Sequence, residues 1–200
     1  MSLGLDRFRA ALGKRQHKPA STRVEDRFAA VAAILREREG VTEVLLMRRA
    51  KHDGDPWSGH MAFPGGRQDA ADENLLATAL RETEEEVGLC LRPESHLIGR
   101  LDDLPAVARG RRVGLVIAPF VFAIGGDPEL TPNRNEVEEL LWAPLAPMHA
   151  GERNTTLLWE FEGQKIEVPG YDVDGRIVWG LTHRMLGALF EVLDGASGSG

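Results

Sequence analysis

Cysteine is almost absent from this chain, with Cys90 the only one among 200 residues. A disulfide needs two cysteines, so a framework of disulfides within the chain is excluded and a reducing compartment fits. We therefore expect a cytoplasmic protein. Cys90 directly follows a helix-like segment, and we expect it to be a small buried apolar residue and not a nucleophile.

Long hydrophobic runs and an excess of positive charge are also missing. No apolar stretch approaches the ~20 residues that span a bilayer, and the N-terminus has no secretory apolar core, so we expect no membrane association. Lys and Arg number 24 against 31 Asp and Glu, a formal net charge of -7. Long nucleic acids are bound largely through phosphate neutralisation, so no nucleic-acid partner is expected. A small phosphorylated ligand needs only a local basic pocket or a metal ion.

The apolar patterning predicts a mixed α+β domain. Residues 4–12 suggest a short amphipathic helix within an N-terminal helix and polar arm, 1–23. One domain is expected over 24–194, followed by a disordered tail, 195–200. Helices are predicted at ENLLATALRETEEEV and LTHRMLGALFEVL. Strands are predicted at FAAVAAILRE, EVLLMRR, HLIGRLDDL, RVGLVIAPFVFAI, VEELLWAPL (ending in a helical turn), TTLLWEFEG, QKIEVPG and IVWG.

The segment RETEEEVGL, residues 81–89, places four glutamates within five positions of a predicted helix. Like charges three or four residues apart on a helix repel by roughly 0.2–0.5 kcal/mol per pair. At about 100° per residue, three of these carboxylates fall within one arc. Such oxygens are the ligands that hard divalent cations prefer, and a bound cation would remove the repulsion. The alternative is a solvated helix face. The three carboxylates belong to Glu82, Glu85 and Glu86, and the predicted core stripe is Leu76, Leu80, Thr83 and Val87.

Gly66, Glu73 and residues 81–89 resemble the Nudix box, G-x5-E-x7-R-E-U-x-E-E-x-G-U, where U is aliphatic. Glu73 has the correct spacing to Arg81 but lies one residue too far from Gly66, where Asp72 holds the usual position. Thr83 stands where an aliphatic residue is usual. The extra residue within GGRQDAAD resembles the branch of Nudix enzymes that cleave coenzyme A.

Three further segments resemble that coenzyme A branch: LLMRRA…GHMAFPGG, RNEVEELLWAPL and GRIVWGLTHRML. The resemblance covers most of residues 24–194. It is weakened in the span KHDGDPWS, which lacks the usual arginine. Met47 stands where threonine is common, and His60 with Met61 replaces a usual Gln-aliphatic pair.

The resemblance implies an αβα sandwich with a mixed central sheet and a cofactor of Mg²⁺ or Mn²⁺. Glu82, Glu85 and Glu86 would bind the metal, with the Gly66 carbonyl as a further ligand. Arg81 would organise these carboxylates, with Glu73 or Asp72 as its partner. Glu85 is the first candidate for the general base and Glu136 the second. The candidate substrate-binding residues are Arg48, Arg49, Arg67, Gly65 and His60; Trp57 or His60 could stack on a base, and Trp179 is expected in the core.

The implied reaction is metal-dependent hydrolysis of a pyrophosphate bond in a small nucleotide substrate. Coenzyme A or acyl-CoA is the first candidate, giving 3',5'-ADP and (acyl-)4'-phosphopantetheine. A second reading keeps the box and changes the substrate to ADP-ribose, a dinucleotide or a nucleoside triphosphate, oxidised or not. A third reading is a nucleotide-binding module without turnover, which is disfavoured because all three box carboxylates are present. A monomer or a homodimer is expected.

Overall fold

The computed structural model describes residues 3–20, 22, 26–52, 57–108, 111–161 and 164–197. No helix within these ranges is long and apolar enough to cross a membrane. The helices are α1 (Leu5–Gly13), α2 (Leu75–Val87), α3 (Pro93–His96), α4 (Leu145–His149) and α5 (Gly180–Ser197). The strands are β1 (Arg27–Arg38), β2 (Val41–Arg49), β3 (Met61–Ala62), β4 (Gly65–Arg67), β5 (Leu97–Arg100), β6 (Leu104–Ala108), β7 (Arg111–Ile124), β8 (Val137–Pro144), β9 (Asn154–Phe161), β10 (Gln164–Val173) and β11 (Arg176–Trp179).

A mixed sheet of eight described strands forms the centre of the molecule. Its main order is β3-β2-β1-β7-β5, with β4 on β1, β6 on β7 and β8 on β2. β1 pairs in parallel with β7 and antiparallel with β2. Both central strands are nearly continuous apolar runs, as strands buried on two faces require. The predicted mixed sheet is confirmed.

β1 changes its neighbour along one edge, and this opens the sheet. Its far end, residues 35–38, pairs with β2, whereas residues 29–31 pair with β4. Beyond Val44, β2 pairs with β3 and β8 and no longer with β1. The short glycine strand β4 therefore lies where the sheet divides.

Apolar side chains cover both faces of this sheet. On one face α2 packs through Ala79 and Val87 against residues of β1 and β7. On the other face α1 and α5 pack with the β9–β11 sheet, and Phe8 of α1 is fully buried there. These layers confirm the predicted αβα sandwich.

Several local expectations differ from the structure. The predicted strand HLIGRLDDL is β5 alone, and β6 begins separately at Leu104. α3, β3 and β4 were not predicted, because elements of two to four residues show no periodicity. α5 continues through Ser197, past the predicted domain end at 194, and residues 198–200 lie outside the described ranges. Cys90 is exposed, so its predicted burial is wrong: the chain leaves the core at Gly88, the left-handed cap of α2.

The contact between α1 and β5 predicts a stability effect. A Cβ at Gly99 would lie 2.7 Å from the Leu12 Cβ and 3.3 Å from its carbonyl oxygen. We expect Gly99→Ala to lower the free energy of unfolding by roughly 1–3 kcal/mol, since α1 must shift. Gly125→Ala is the control, because nothing lies within 4 Å of a Cβ there. Equal urea midpoints for the two variants would show that α1 does not pack closely on β5.

Candidate active site

Two consecutive glycines begin the site on β4. Gly65 has a φ of 148°, and a Cβ there would lie 2.3 Å from the Ala30 carbonyl oxygen. A Cβ at Gly66 would lie 2.4 Å from the Glu82 carboxylate. Only glycine therefore allows the backbone to approach both β1 and a carboxylate this closely.

The glutamate helix α2 is defined at both ends by the sequence. The Asn74 side chain caps its first turn by accepting from the Ala77 N–H at 3.0 Å, and Gly88 ends it with a φ of 70°. Thr83 is fully buried, and its hydroxyl donates to the Ala79 carbonyl at 2.7 Å. The hydroxyl is satisfied within the helix, which explains why threonine is tolerated at an apolar position. Val87 is also buried, whereas Leu76 and Leu80 are partly buried against the same core.

The three predicted carboxylates differ in their surroundings. Glu86 is 2% exposed and accepts a hydrogen bond from the Gly65 N–H at 2.7 Å. The Glu82 side chain is 15% exposed and lies against Gly66. The Glu85 side chain is 55% exposed. Within the predicted arc, the exposed fraction of the side chain therefore rises from Glu86 through Glu82 to Glu85.

Arg81 holds this cluster together. It donates from Nε and Nη2 to the two Asp72 oxygens at 2.9 Å each. Its Nη1 lies 2.9 Å from Glu82 Oε1 and 2.9 Å from Glu85 Oε2, and Nη2 also donates to the Arg67 carbonyl at 3.2 Å. The hydrogen bonds from Arg81 hold the pKa of Asp72 well below its usual range.

These contacts resolve the choice that the sequence left open for the partner of Arg81. Asp72, at the usual box spacing from Gly66, binds the guanidinium bidentately, and its side chain is 5% exposed. Glu73 is exposed at the surface. Asp72 therefore keeps the usual distance from Gly66, and the extra residue of the loop lies after Asp72.

A cavity of about 600 Å³ opens beside the two glycines. Among the described residues, three acidic side chains line it: Glu82, Glu86 and Glu136. Gly65 and Gly66 also line it, as do the predicted substrate-binding residues Arg49, Arg67 and His60. Glu85, Arg81 and Arg48 are not among its described lining.

The side chain of Arg48 faces away from this cavity. It lies 3.8 Å from a Glu138 oxygen and 3.9 Å from a Glu139 oxygen, and Glu139 is also bound by Arg176. The register between β2 and β8 shifts between Arg48 and Arg49. Neighbouring strand residues point to opposite faces, so the structure does not support Arg48 as a substrate ligand.

Much of the cavity lining is apolar, and we call the part formed by the residues below its apolar end. Its described lining includes Met61, Phe63, Leu181, Met185 and Trp179. The Trp179 ring centroid lies 4.6 Å from that of His60, so this tryptophan is a cavity residue and is not fully in the core as expected. Met61 and Phe63 lie in or just after β3, more than a hundred positions before Trp179 of β11 and the two residues of α5. No local motif could have joined them.

Burial makes ionisation of the two inner carboxyl groups of the acidic end, Glu86 and Glu82, unfavourable. Burial raises the pKa of Glu86 to about 8, and the charges of Glu82 and Glu136 add to the increase. Burial also raises the pKa of Glu82. A buried carboxylate is costly unless a cation or donor compensates it.

A hard divalent cation suits these donors, which are carboxylate oxygens next to a backbone carbonyl. Among the side chains that the structure describes, no three acidic, histidine or cysteine groups converge on one point at ligand distances. The Arg81 guanidinium lies between Glu82 and Glu85 instead. The fit to a metal ion therefore rests on two points. Burial opposes ionisation of Glu86 and Glu82, which a bound cation would offset. Carboxylate oxygens are also the ligands that a hard divalent cation prefers.

Comparison with known proteins agrees with this geometry. The family model for the NUDIX domain matches residues 26–159. The chain is 35% identical over 142 residues to the Nudix hydrolase NudL of Pectobacterium atrosepticum, covering 70% of each protein. It is 36% identical over 129 residues to the human mitochondrial coenzyme A diphosphatase NUDT8, covering 64% of this chain and 52% of that protein.

Coverage differs among the relatives. A Schizosaccharomyces pombe protein, C14C4.10c, is 40% identical over 119 residues, which are 58% of this chain and 36% of that protein. This chain thus spans from 36% to 70% of the length of these relatives. A MutT/nudix family protein of Enterococcus faecalis has the same fold, with a TM-score of 0.60 at 22% identity, covering 90% of this chain and 66% of that one. With the box carboxylates gathered against Gly65 and Gly66, the family match leads to one conclusion: this chain belongs to the Nudix hydrolase family.

Proposed function

We propose that the chain hydrolyses the pyrophosphate bond of coenzyme A or acyl-CoA, giving 3',5'-ADP and (acyl-)4'-phosphopantetheine. Water adds to one phosphorus, the bond from that phosphorus to the bridging oxygen breaks, and the proton of the water passes to a protein base. The observation that carries this proposal is the cavity itself, which joins an acidic end at Gly65 and Gly66 to an apolar end.

Glu82, Glu85, Glu86 and the Gly66 carbonyl would hold Mg²⁺ or Mn²⁺. When bound, the ion supplies charge neutralisation and lowers the pKa of a bound water. Arg81 fixes Glu82 and Glu85 through its hydrogen bonds. Arg49 and Arg67 line the cavity next to this cluster, where a guanidinium can bind phosphate oxygens bidentately.

The position of Glu136 favours it as the base over Glu85. Glu136 lines the cavity, and its charge acts on both Glu82 and Glu86. The Glu85 carboxylate is bound to Arg81 outside the described lining. Proton transfer requires the base to lie within hydrogen-bond reach of the water. We therefore assign proton transfer to Glu136, whereas Glu85 would take part in metal binding only from the exposed edge of the cluster, where Arg81 holds it.

The apolar end supports a substrate with an uncharged arm. The described cations of the lining, Arg49 and Arg67, both lie by the acidic end. The Thr182 hydroxyl at the far end already donates to the Met61 carbonyl at 3.0 Å. Burying charged or unpaired polar groups against such a surface is costly. A pantetheine arm is uncharged and carries methyl and methylene groups around its two amides, so more of its surface suits this lining than the hydroxyl-rich second ribose of ADP-ribose.

The acidic residues predict the pattern of activity. With Mg²⁺ or Mn²⁺ the protein should hydrolyse coenzyme A faster than ADP-ribose, NADH or a nucleoside triphosphate, and EDTA should abolish turnover.

Glu136→Gln should lower kcat by about 10²–10⁴-fold, because the amide keeps the shape but accepts no proton. Product identification by mass spectrometry checks this, with Glu84→Gln, an exposed glutamate of the same helix, as the control. Full activity of Glu136→Gln would remove Glu136 as the base.

The apolar end predicts an effect on substrate choice. Leu181→Gln keeps the volume but places an amide in this end, so we expect KM for acyl-CoA to rise about tenfold with kcat retained. KM for ADP-ribose should change less. Leu158→Gln is the matched control, because Leu158 is 63% exposed on β9. The same rise in KM for both substrates would contradict an apolar arm at this end.

The raised pKa of Glu86 predicts how the metal-free protein responds to pH. The carboxyl titrates near 4.5 when unfolded and near 8 when folded, so the folded form binds the extra proton between these values. Stability from this group therefore falls as pH rises from about 4.5 to 8. Thermal unfolding in EDTA should show a shallower decline for Glu86→Gln than for wild type. If the two pH curves ran parallel, the pKa of Glu86 would not be raised in the folded protein.

A further inference from the structure

A short turn places the Glu136 carboxylate, and Asn133 forms its corner. The Asn133 carbonyl accepts from the Glu136 N–H at 2.9 Å and from the Val137 N–H at 2.8 Å. Val137 is fully buried and begins β8. The position of Glu136 relative to the sheet is thus set by its backbone bonds to Asn133 and to Ala50, whose N–H donates to the Glu136 carbonyl at 2.7 Å.

The side chain of Asn133 is fixed at both ends. Its Oδ1 accepts from the Asn135 N–H at 3.2 Å, and its Nδ2 donates to Glu136 Oε1 at 3.1 Å. An ionised carboxylate only accepts hydrogen bonds, so the amide nitrogen must face Glu136 and the oxygen must face the backbone. Both contacts agree on this orientation.

The same residue is bound to the glutamate helix. The Asn133 N–H donates to the Glu86 carbonyl at 2.9 Å, and the Thr131 N–H donates to the Val87 carbonyl at 2.9 Å. The last turn of a helix leaves its carbonyls without partners inside the helix, and this loop supplies donors for two of them. Asn133 therefore contacts the helix with the metal-binding carboxylates through its backbone and Glu136 through its side chain.

Glu136 needs such a restraint. Its side chain is exposed, and in the metal-free protein its charge repels the Glu82 carboxylate. Repulsion of this kind would favour rotation toward solvent and away from the cavity. The hydrogen bond from Asn133 Nδ2 opposes that rotation.

We propose that Asn133 is a positioning residue, which holds the Glu136 carboxylate toward the cavity at a set distance from the Glu82–Glu86 cluster. This assignment rests on the proposed function, in which Glu136 takes the proton of the attacking water. Asn133 touches neither the substrate nor the reacting atoms; it acts through Glu136.

The isosteric change Asn133→Asp tests the assignment. It retains the acceptor for the Asn135 N–H and all backbone bonds, but it replaces the donor to Glu136 with a repelling oxygen. We expect kcat to fall about 10- to 100-fold with KM within twofold of wild type, because a displaced base slows the chemical step and leaves binding intact. The control is Asn135→Asp, which makes the same charge change in the same turn at an exposed side chain; its kcat should stay within twofold of wild type.

A double variant separates positioning from a general structural role. In a Glu136→Gln background the base is already absent, so adding Asn133→Asp should cause no further loss of kcat. A structural role would lower kcat and the melting temperature in both backgrounds, and this result would overturn the assignment. Equal kcat for Asn133→Asp and Asn135→Asp in an active wild-type background would also overturn it. Absence of wild-type hydrolysis of any diphosphate would overturn the proposed function, and the assignment with it.

Discussion

The close approach of two carboxylates to two glycines is the contact on which the site depends. Glu82 lies against Gly66, and Glu86 accepts the Gly65 N–H from a nearly inaccessible position. A side chain on Gly66 would push α2 away from β4, and a side chain on Gly65 would push β4 away from β1. The sheet divides at this point, so negative charge is concentrated where a substrate can enter. Arg81 and Asp72 hold the more exposed edge of the cluster.

Much of the fold follows from the sequence because its long elements are strongly patterned. β1, β2, the hairpin of β9 and β10, α2 and α5 are confirmed where periodicity or buried runs predicted them. β3 and β4 could not be predicted, since two or three residues carry no period and β4 forms only because β1 offers it an edge. The exposure of Cys90 was missed for a similar reason: the path of the chain after a left-handed cap is set by packing.

The site was predicted as far as its residues are local in sequence. The resemblance to the Nudix box identified the carboxylates, Arg81 and the glycines. It could not identify which of Asp72 and Glu73 binds Arg81, because the geometry of the loop decides this. It could not orient Arg48 and Arg49 either, because the register shift between them depends on β8. Asn133 and the apolar end are joined to the box by tertiary contacts alone, and no spacing rule identifies them.

The walls of the cavity come from two different parts of the chain. Residues 26–159, which match the family model, supply the glycines and the acidic residues. Trp179, Leu181 and Met185 lie beyond that segment, on β11 and α5. Substitutions in β11 and α5 therefore change the apolar lining without replacing a glycine or an acidic residue of the cavity. A chain built in this way can alter the shape of the space offered to a ligand through its last strand and helix alone, while the glycines and carboxylates stay as they are.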